Sequence, residues 1–342
     1  MAFSKLRSQF QLFAFWTLVC FWSLITILRL LSSWLRNFGN YFYVLNHKKP
    51  AIKENWTHGR IKVSNDVQLH YVESGNRNGK LLLFVHGFCD FFYGWRNQLD
   101  YFGSQNNYRV IAIDLRGYND SSKPDLVDSY KIEHFVSDLK EVILKLGKGK
   151  AVLVGDDIGA LFCWLLAEEC PELLDRLVIL NCPVPRAYLH LVCSNSRQLV
   201  SAWRWFALQT PYLNEIGYQA QDYDGIVKLF KKPLKNKQNF NDTDAEYYKF
   251  VFSKKHGLTA PLQFFRAIPR LFDNFKFNGG LIKPKTLILW GASNDSLVID
   301  GAYHSRAYCE QAELKVLPNG RHLQIDEPQI VNQLIDEFLK KS

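Results

Sequence analysis

The chain has no acidic residue before Glu54 and no charge of either sign from Phe10 to Leu28, a run of 19 residues. As a helix that run reaches about 28 Å, close to the roughly 30 Å hydrocarbon core of a bilayer. Trp16 and Trp22 are bulky and no small-residue cleavage site follows, which argues for a retained transmembrane anchor over a removed signal. The seven cysteines are odd in number and scattered, with no C-x-x-C pair. That excludes a disulfide framework or a zinc ribbon and suits a reducing compartment. Also missing are a glycine-rich phosphate loop, a metal-ligand cluster, a nucleic-acid-binding module, internal repeats and low-complexity tracts. No metal, cofactor or nucleic-acid partner is therefore expected.

What is present is 342 residues with 47% hydrophobic and 15% aromatic content, enough for one large α/β domain or two small ones. The net charge of +9 gathers in the N-terminal region and in Lys228–Lys237. Such a lysine run is either a solvated face or a contact with anionic lipid headgroups. Arg29, Arg36, Lys48 and Lys49 follow the apolar run, against Lys5 and Arg7 before it, so the positive-inside rule places the large C-terminal part in the cytoplasm. Four N-x-S/T sequons occur, at Asn55, Asn119, Asn241 and Asn294. The last abuts a residue assigned to chemistry below, which favours a cytosolic over a glycosylated, luminal domain.

After an anchor (residues 1–34) and a basic, aromatic linker (35–58), strand and helix signals alternate. Val67–Val72 reads as an edge strand; 81–85, 110–114, 151–154, 177–180, 286–290 and 314–317 read as further strands. His134–Leu146 and Ile330–Leu339 carry apolar residues at helical spacing. The pattern predicts a mostly parallel sheet covered on both faces. The rhythm breaks over 183–278, an aromatic and lysine-rich insertion read as a helical lid over the strand C-termini. The core is then 59–182 with 279–342.

Gly155-Asp156-Asp157-Ile158-Gly159 follows the apolar run Ala151–Val154 and precedes a helical stretch. This is the strand-turn-helix setting of a nucleophile elbow, in which small flanking residues permit a sharp turn that exposes one side chain. Serine is usual at the centre. A carboxylate, Asp157, instead attacks carbon and leaves an alkyl ester on the enzyme. His86-Gly87-Phe88 comes directly after a strand, so the Phe88 and Ile158 N–H groups are candidate oxyanion donors, with His86 structural. Asp295 and His322 each follow a later strand. The order Asp157, Asp295, His322 is that of nucleophile, orienting acid and general base. Taken singly, a loop Asp is more often a cap and a lone His more often structural.

The stretches His86–Arg96, Asp114–Pro124, Gly155–Gly159, Leu289–Asp295 and His322–Pro328 together resemble the epoxide hydrolase branch of the α/β-hydrolases, including its N-terminally membrane-anchored members. The resemblance implies an α/β-hydrolase fold, mostly parallel, with a helical lid and a preceding N-terminal transmembrane helix. It implies a two-step reaction on a small, apolar, lipid-derived epoxide: Asp157 opens the ring, and water activated by His322, oriented by Asp295, hydrolyses the ester. The implied location is the endoplasmic reticulum membrane, single-pass, with the catalytic part cytosolic.

Several positions depart from the family. Asp156 and Ile158 stand where His and Trp are usual beside the nucleophile, and Cys89 stands where Pro follows His-Gly-Phe. Arg204 and Phe265 stand where two lid tyrosines would protonate the epoxide oxygen. Losing one preorganised donor costs on the order of 3 kcal/mol, roughly 100-fold in rate. Tyr212, Tyr218, Tyr247 and Tyr248 are the lid phenols that could substitute. Asp156 is expected to point away from Asp157, as neighbours on an elbow do. Three other readings compete. One is an impaired lipid-binding or scaffolding protein that keeps the fold; another is a dehalogenase, disfavoured by Ile158. The third, a serine esterase, is excluded by Asp157.

Overall fold

The structure, a computed structural model, describes residues 2–52, 54–63, 67–268, 279–318 and 320–341. The last ten residues of the expected lid, 269–278, lie outside these. Among the described residues the strands are β1 Thr57–Lys62, β2 Gln68–Gly75, β3 Lys80–Val85, β4 Tyr108–Ile113, β5 Ala151–Asp156, β6 Leu174–Leu180, β7 Lys285–Gly291 and β8 Ala312–Leu317. They form one sheet in the order β1-β2-β4-β3-β5-β6-β7-β8. Pairs β1–β2 and β2–β4 are antiparallel and the others parallel. The runs Leu81–Val85 and Ala151–Asp156 are buried at every position, as strands covered on both faces must be.

One expectation is corrected. β2 is not the edge; β1 lies outside it. β1 reads Thr-His-Gly-Arg-Ile-Lys and buries only Ile61, so it carries almost no hydrophobic alternation to announce it.

Helices before the insertion are α1 Ala2–Arg36, α2 Arg96–Ser104, α3 Ile132–Leu146 and α4 Asp157–Glu169. α4 is apolar nearly all round, as befits a helix with sheet on one side and protein on the other. Phe162 stacks on Phe135 of α3 at 4.3 Å, and Trp164 Nε1 donates to the Cys182 carbonyl at 3.1 Å. Those contacts hold the N-terminus of α4 at the C-terminal end of the sheet.

Between β6 and β7 come α5 Pro185–Ser194, α6 Ser196–Ser201, α7 Trp203–Ala207, α8 Leu213–Lys231, α9 Asp242–Ser253 and α10 Thr259–Ala267. α8 breaks at Gln221, Asp222 and Tyr223, whose φ angles are 52°, 59° and 61°. Left-handed non-glycine residues of this kind cost about 1 kcal/mol or more each. Asp222 offsets this by accepting from Leu45 N (2.9 Å), His47 Nε2 (2.7 Å) and Lys249 Nζ (2.9 Å). The break turns the second half of α8 down toward the sheet. After β7 come α11 Asp300–Arg306, α12 Leu323–Asp326 and α13 Pro328–Lys340.

α1 is long and apolar enough to cross a membrane over Leu12–Arg36. One of its faces rests on the insertion. Phe15 meets Phe206 at 5.5 Å, Trp22 meets Trp203 at 5.7 Å, and the Ser23 and Thr210 hydroxyls are hydrogen-bonded. Its other face leaves Phe13, Phe21, Leu24, Leu28 and Leu31 exposed.

Candidate active site

β5 ends at Asp156 and α4 begins at Asp157, with no residue between them. The chain turns by placing Asp157 at φ 51°, a left-handed conformation that L-residues adopt at a cost of about 1–2 kcal/mol. Two glycines make the turn possible. A Cβ on Gly159 would lie 2.3 Å from the His86 carbonyl oxygen, and one on Gly87 would lie 2.7 Å from Asp157 Cβ. The loop after β3 therefore presses directly against the elbow. There Phe88 N–H donates to Asp157 Oδ2 at 3.1 Å. Ile158 opens the first turn of α4, where backbone N–H groups have no intrahelical acceptor.

His86 is a strut of that loop. Its Nδ1–H donates to the Gly87 carbonyl at 2.8 Å and its Nε2 accepts Leu115 N–H at 3.0 Å. Burial pulls its pKa down to about 4, so it stays neutral.

Asp156 does not point clear of the nucleophile. Its Oδ2 would sit 3.3 Å, and Asp157 Oδ2 3.2 Å, from a Cβ on Gly87, so both carboxyls border the same point. Burial first, then the charges of Asp157 and Asp90, raise the Asp156 pKa well above the carboxylate range. A neutral Asp156 removes the repulsion that two adjacent carboxylates would suffer. Gln324 Nε2 donates to it at 3.1 Å.

His322 sits in a left-handed turn (φ 55°) between β8 and α12. Its ring stacks on Phe230 at 4.5 Å, and Nε2 faces the Leu229 carbonyl at 3.3 Å. A carbonyl only accepts, so Nε2 carries the proton in this bond. Burial, followed by the nearby Arg321 charge, lowers the His322 pKa to about 3. Asp295 is elsewhere engaged. Its side chain is 74% exposed, accepts from Ser296 Oγ at 3.0 Å, and lies 3.8 Å from Arg321 Nη1. The structure brings Asp157 and Phe88 together; it shows no hydrogen bond between Asp295 and His322.

The insertion forms the opposite wall. Arg204 of α7 donates from Nη1 to Ser296 Oγ at 2.7 Å. Phe265 of α10 packs on Phe88 at 4.8 Å and Trp205 at 5.4 Å. Of the four candidate phenols named above, Tyr212 is exposed, Tyr247 donates to Glu54 at 3.2 Å and Tyr248 donates to Asp90 at 2.5 Å. Tyr218 packs on the loop after β3, its ring 6.2 Å from Phe88. Burial, then Cys89, raises its pKa, while Arg204 and Arg321 pull the other way. Sequence reasoning passed over Arg321, although its position beside His322 was a signal. Among the described residues no three His, Cys, Asp or Glu side chains are grouped to hold a metal.

A carboxylate on a strand-turn-helix elbow, met by an N–H from the loop after β3 and roofed by helices inserted between β6 and β7, defines an α/β-hydrolase. A family model for the alpha/beta hydrolase fold matches residues 80–329. Epoxide hydrolase 2 of Caenorhabditis elegans is 33% identical over 325 residues, covering 92% of this chain and 89% of that one. Human epoxide hydrolase 4 is 32% identical over 292 residues, covering 83% and 79%. The crystal structure of Bacillus megaterium epoxide hydrolase in complex with an inhibitor superposes with a TM-score of 0.76 at 28% identity, covering 83% of this chain and all of that one. The chain belongs to the α/β-hydrolase family, in its epoxide hydrolase branch.

Proposed function

We propose that the protein adds water to epoxides through an ester on Asp157. A carboxylate oxygen of Asp157 attacks a ring carbon, the bond from that carbon to the ring oxygen breaks, and the oxygen takes a proton from Tyr218. Water then loses a proton to His322 and adds to the ester carbonyl carbon. The Phe88 and Ile158 N–H groups hold the oxyanion, and cleavage releases a diol, leaving one water-derived oxygen on Asp157. The observation that carries this reading is the Asp157 carboxylate on the elbow, receiving the Phe88 N–H at 3.1 Å. In the second step the Leu229 carbonyl gives up His322 Nε2, and Asp295 turns in to orient the ring. Asp295 also raises the base's pKa, as a carboxylate partner does. The aromatic wall of Phe88, Phe265 and Trp205 suits an apolar, lipid-derived substrate.

We place the protein as a single-pass protein of the endoplasmic reticulum, anchored by α1, with the hydrolase core cytosolic and the 183–278 insertion acting as its lid. The excess of Arg and Lys after the apolar run supports that orientation.

The test is turnover of a fatty-acid epoxide in ¹⁸O-labelled water. The Asp157 peptide is expected to gain heavy oxygen, and diol formation with an unlabelled Asp157 rules the ester out. The engaged His322 and displaced Asp295 favour a second reading, a ligand-binding protein of impaired activity. Absence of diol with every epoxide tried would favour it.

A further inference from the structure

Arg204 stands on α7 of the insertion and Arg321 in the loop after β8, and the charges of both are felt at Cys89 and at His322. They share a single carboxylate at the rim. Arg204 Nη1 donates to Ser296 Oγ at 2.7 Å, Ser296 Oγ donates to Asp295 Oδ1 at 3.0 Å, and Arg321 Nη1 lies 3.8 Å from that same oxygen. Among the described residues neither guanidinium has the bidentate carboxylate partner that its planar fork is built to hold. Elsewhere in the molecule buried arginines have one: Arg109 grips Glu73 at 3.0 and 2.9 Å, and Arg116 grips Asp138 at 2.6 Å through both nitrogens.

The anions near the pair are few, and the one both arginines reach is held loosely at the surface. Asp156 and Cys89 are held neutral by burial, and so is His322. Two cations therefore face two carboxylates, Asp157 and, at the exposed rim and 3.8 Å from Arg321, Asp295. Arg204 registers its neighbour: burial first, then Arg321, lowers its pKa, while Asp295 and Asp157 pull the other way. An anion held between two like charges stabilises them, and Asp295, 74% exposed and 3.8 Å from Arg321, fills that place only at the rim.

We propose that Arg204 and Arg321 form an anion subsite beside the nucleophile, and that the protein's ligands are apolar epoxides carrying a carboxylate a few bonds from the ring. The epoxide half of this rests on the function proposed above; the carboxylate half does not. Arg204, in place of a lid tyrosine, exchanges a proton donor for a specificity determinant.

The test uses the full chain in lipid nanodiscs and two unreactive probes of the same shape. These are trans-2-phenylcyclopropane-1-carboxylate and its primary carboxamide, in which the cyclopropane stands in for the epoxide. Calorimetric titration is expected to show the acid binding about 30-fold tighter than the amide, the worth of a charge-assisted contact. Arg204→Gln and Arg321→Gln are each expected to weaken the acid about 10-fold, leave the amide unchanged and flatten the salt dependence of acid binding. Equal binding of acid and amide by the unmodified protein, or binding of neither, overturns the subsite and needs no variant to fold. Equal weakening of both probes by the substitutions overturns it too. No bond breaks in this experiment, so failure of the ester mechanism leaves its result standing.

Discussion

Asp157 and Arg204 belong to two sides of the candidate site, and the sides are built by different means. On the sheet side the parts are main chain: the ends of β3 and β5, a left-handed Asp157, and the Phe88 N–H at 3.1 Å. On the insertion side they are side chains on short or broken helices: Arg204 on the five-residue α7, and Tyr218 just before the break in α8. A main-chain donor survives almost any substitution, whereas a side-chain donor is lost in one. That is why the sheet wall keeps the nucleophile's setting while the insertion has exchanged its expected phenols for Arg204 and Phe265. On the function and subsite proposed above, the first wall carries the reaction and the second the choice of ligand.

The sheet wall should break hardest. Asp157→Ala is expected to abolish turnover, a loss of about 10⁴-fold or more in kcat, measured as diol formation. The same variant should melt no lower than the parent, because the elbow loses a buried-edge charge and gains nothing that clashes. Next comes Gly159→Ala. Its Cβ would meet the backbone oxygens of His86 at 2.3 Å and Val85 at 2.7 Å, atoms that cannot step aside singly. Destabilisation of about 3 kcal/mol is expected, read as a lower thermal midpoint.

The insertion wall should yield a smaller and reversible effect. Tyr218→Phe removes the proposed proton donor and should lower kcat about 100-fold with the thermal midpoint unchanged. Phe265→Tyr returns an O–H to a ring 4.8 Å from Phe88 and should raise kcat. If Tyr218→Phe leaves kcat untouched, the donor lies elsewhere on that wall. Tyr188 of α5 is then the residue to replace, since it lies 6.0 Å from Trp205 and feels the Asp157 charge.

The same division explains what could be read in advance. The elbow, the loop after β3 and the strands through β3, β5, β6 and β7 announce themselves, because buried parallel strands are continuous apolar runs and the turns need glycine where backbones touch. β1 is silent because its one buried side chain, Ile61, makes no pattern. The pairing of Asp156 with Gln324 depends on a contact 168 residues apart in the chain, and its approach to Asp157 on the packing of Gly87 against the elbow. The position of His322 after β8 is local information. Its capture by Leu229 is not, because that follows from a left-handed break in α8 held by Asp222, Leu45 and His47. Arg204 was legible as a substitution; its partnership with Arg321 through Ser296 and Asp295 required the fold.

The two walls are joined by Asp90, and a pH titration tests that seam. Asp90 lies in the loop after β3, accepts Phe91 N–H at 2.8 Å and is clasped by Tyr248 of α9 at 2.5 Å. Burial raises its pKa to about 7, against about 3.9 in an unfolded chain. A raised carboxyl stabilises the fold fully below pH about 4 and loses that contribution as pH climbs to about 7, since the unfolded chain sheds its proton first. His322, lowered to about 3, acts in the opposite sense over an overlapping window: the unfolded imidazole gains a proton below about 6.5, so stability falls as pH falls. Between pH about 4 and 6.5 the two slopes oppose each other in the parent protein. Asp90→Asn keeps the acceptor for Phe91 and Tyr248 and deletes only the titration. The variant's stability should then rise with pH across that window. By pH 8 its thermal midpoint should exceed the parent's by roughly 3–6 °C, about 2 kcal/mol. A difference between the two curves that stays constant with pH would mean that Asp90 titrates normally and that the seam between sheet and insertion is held by packing alone.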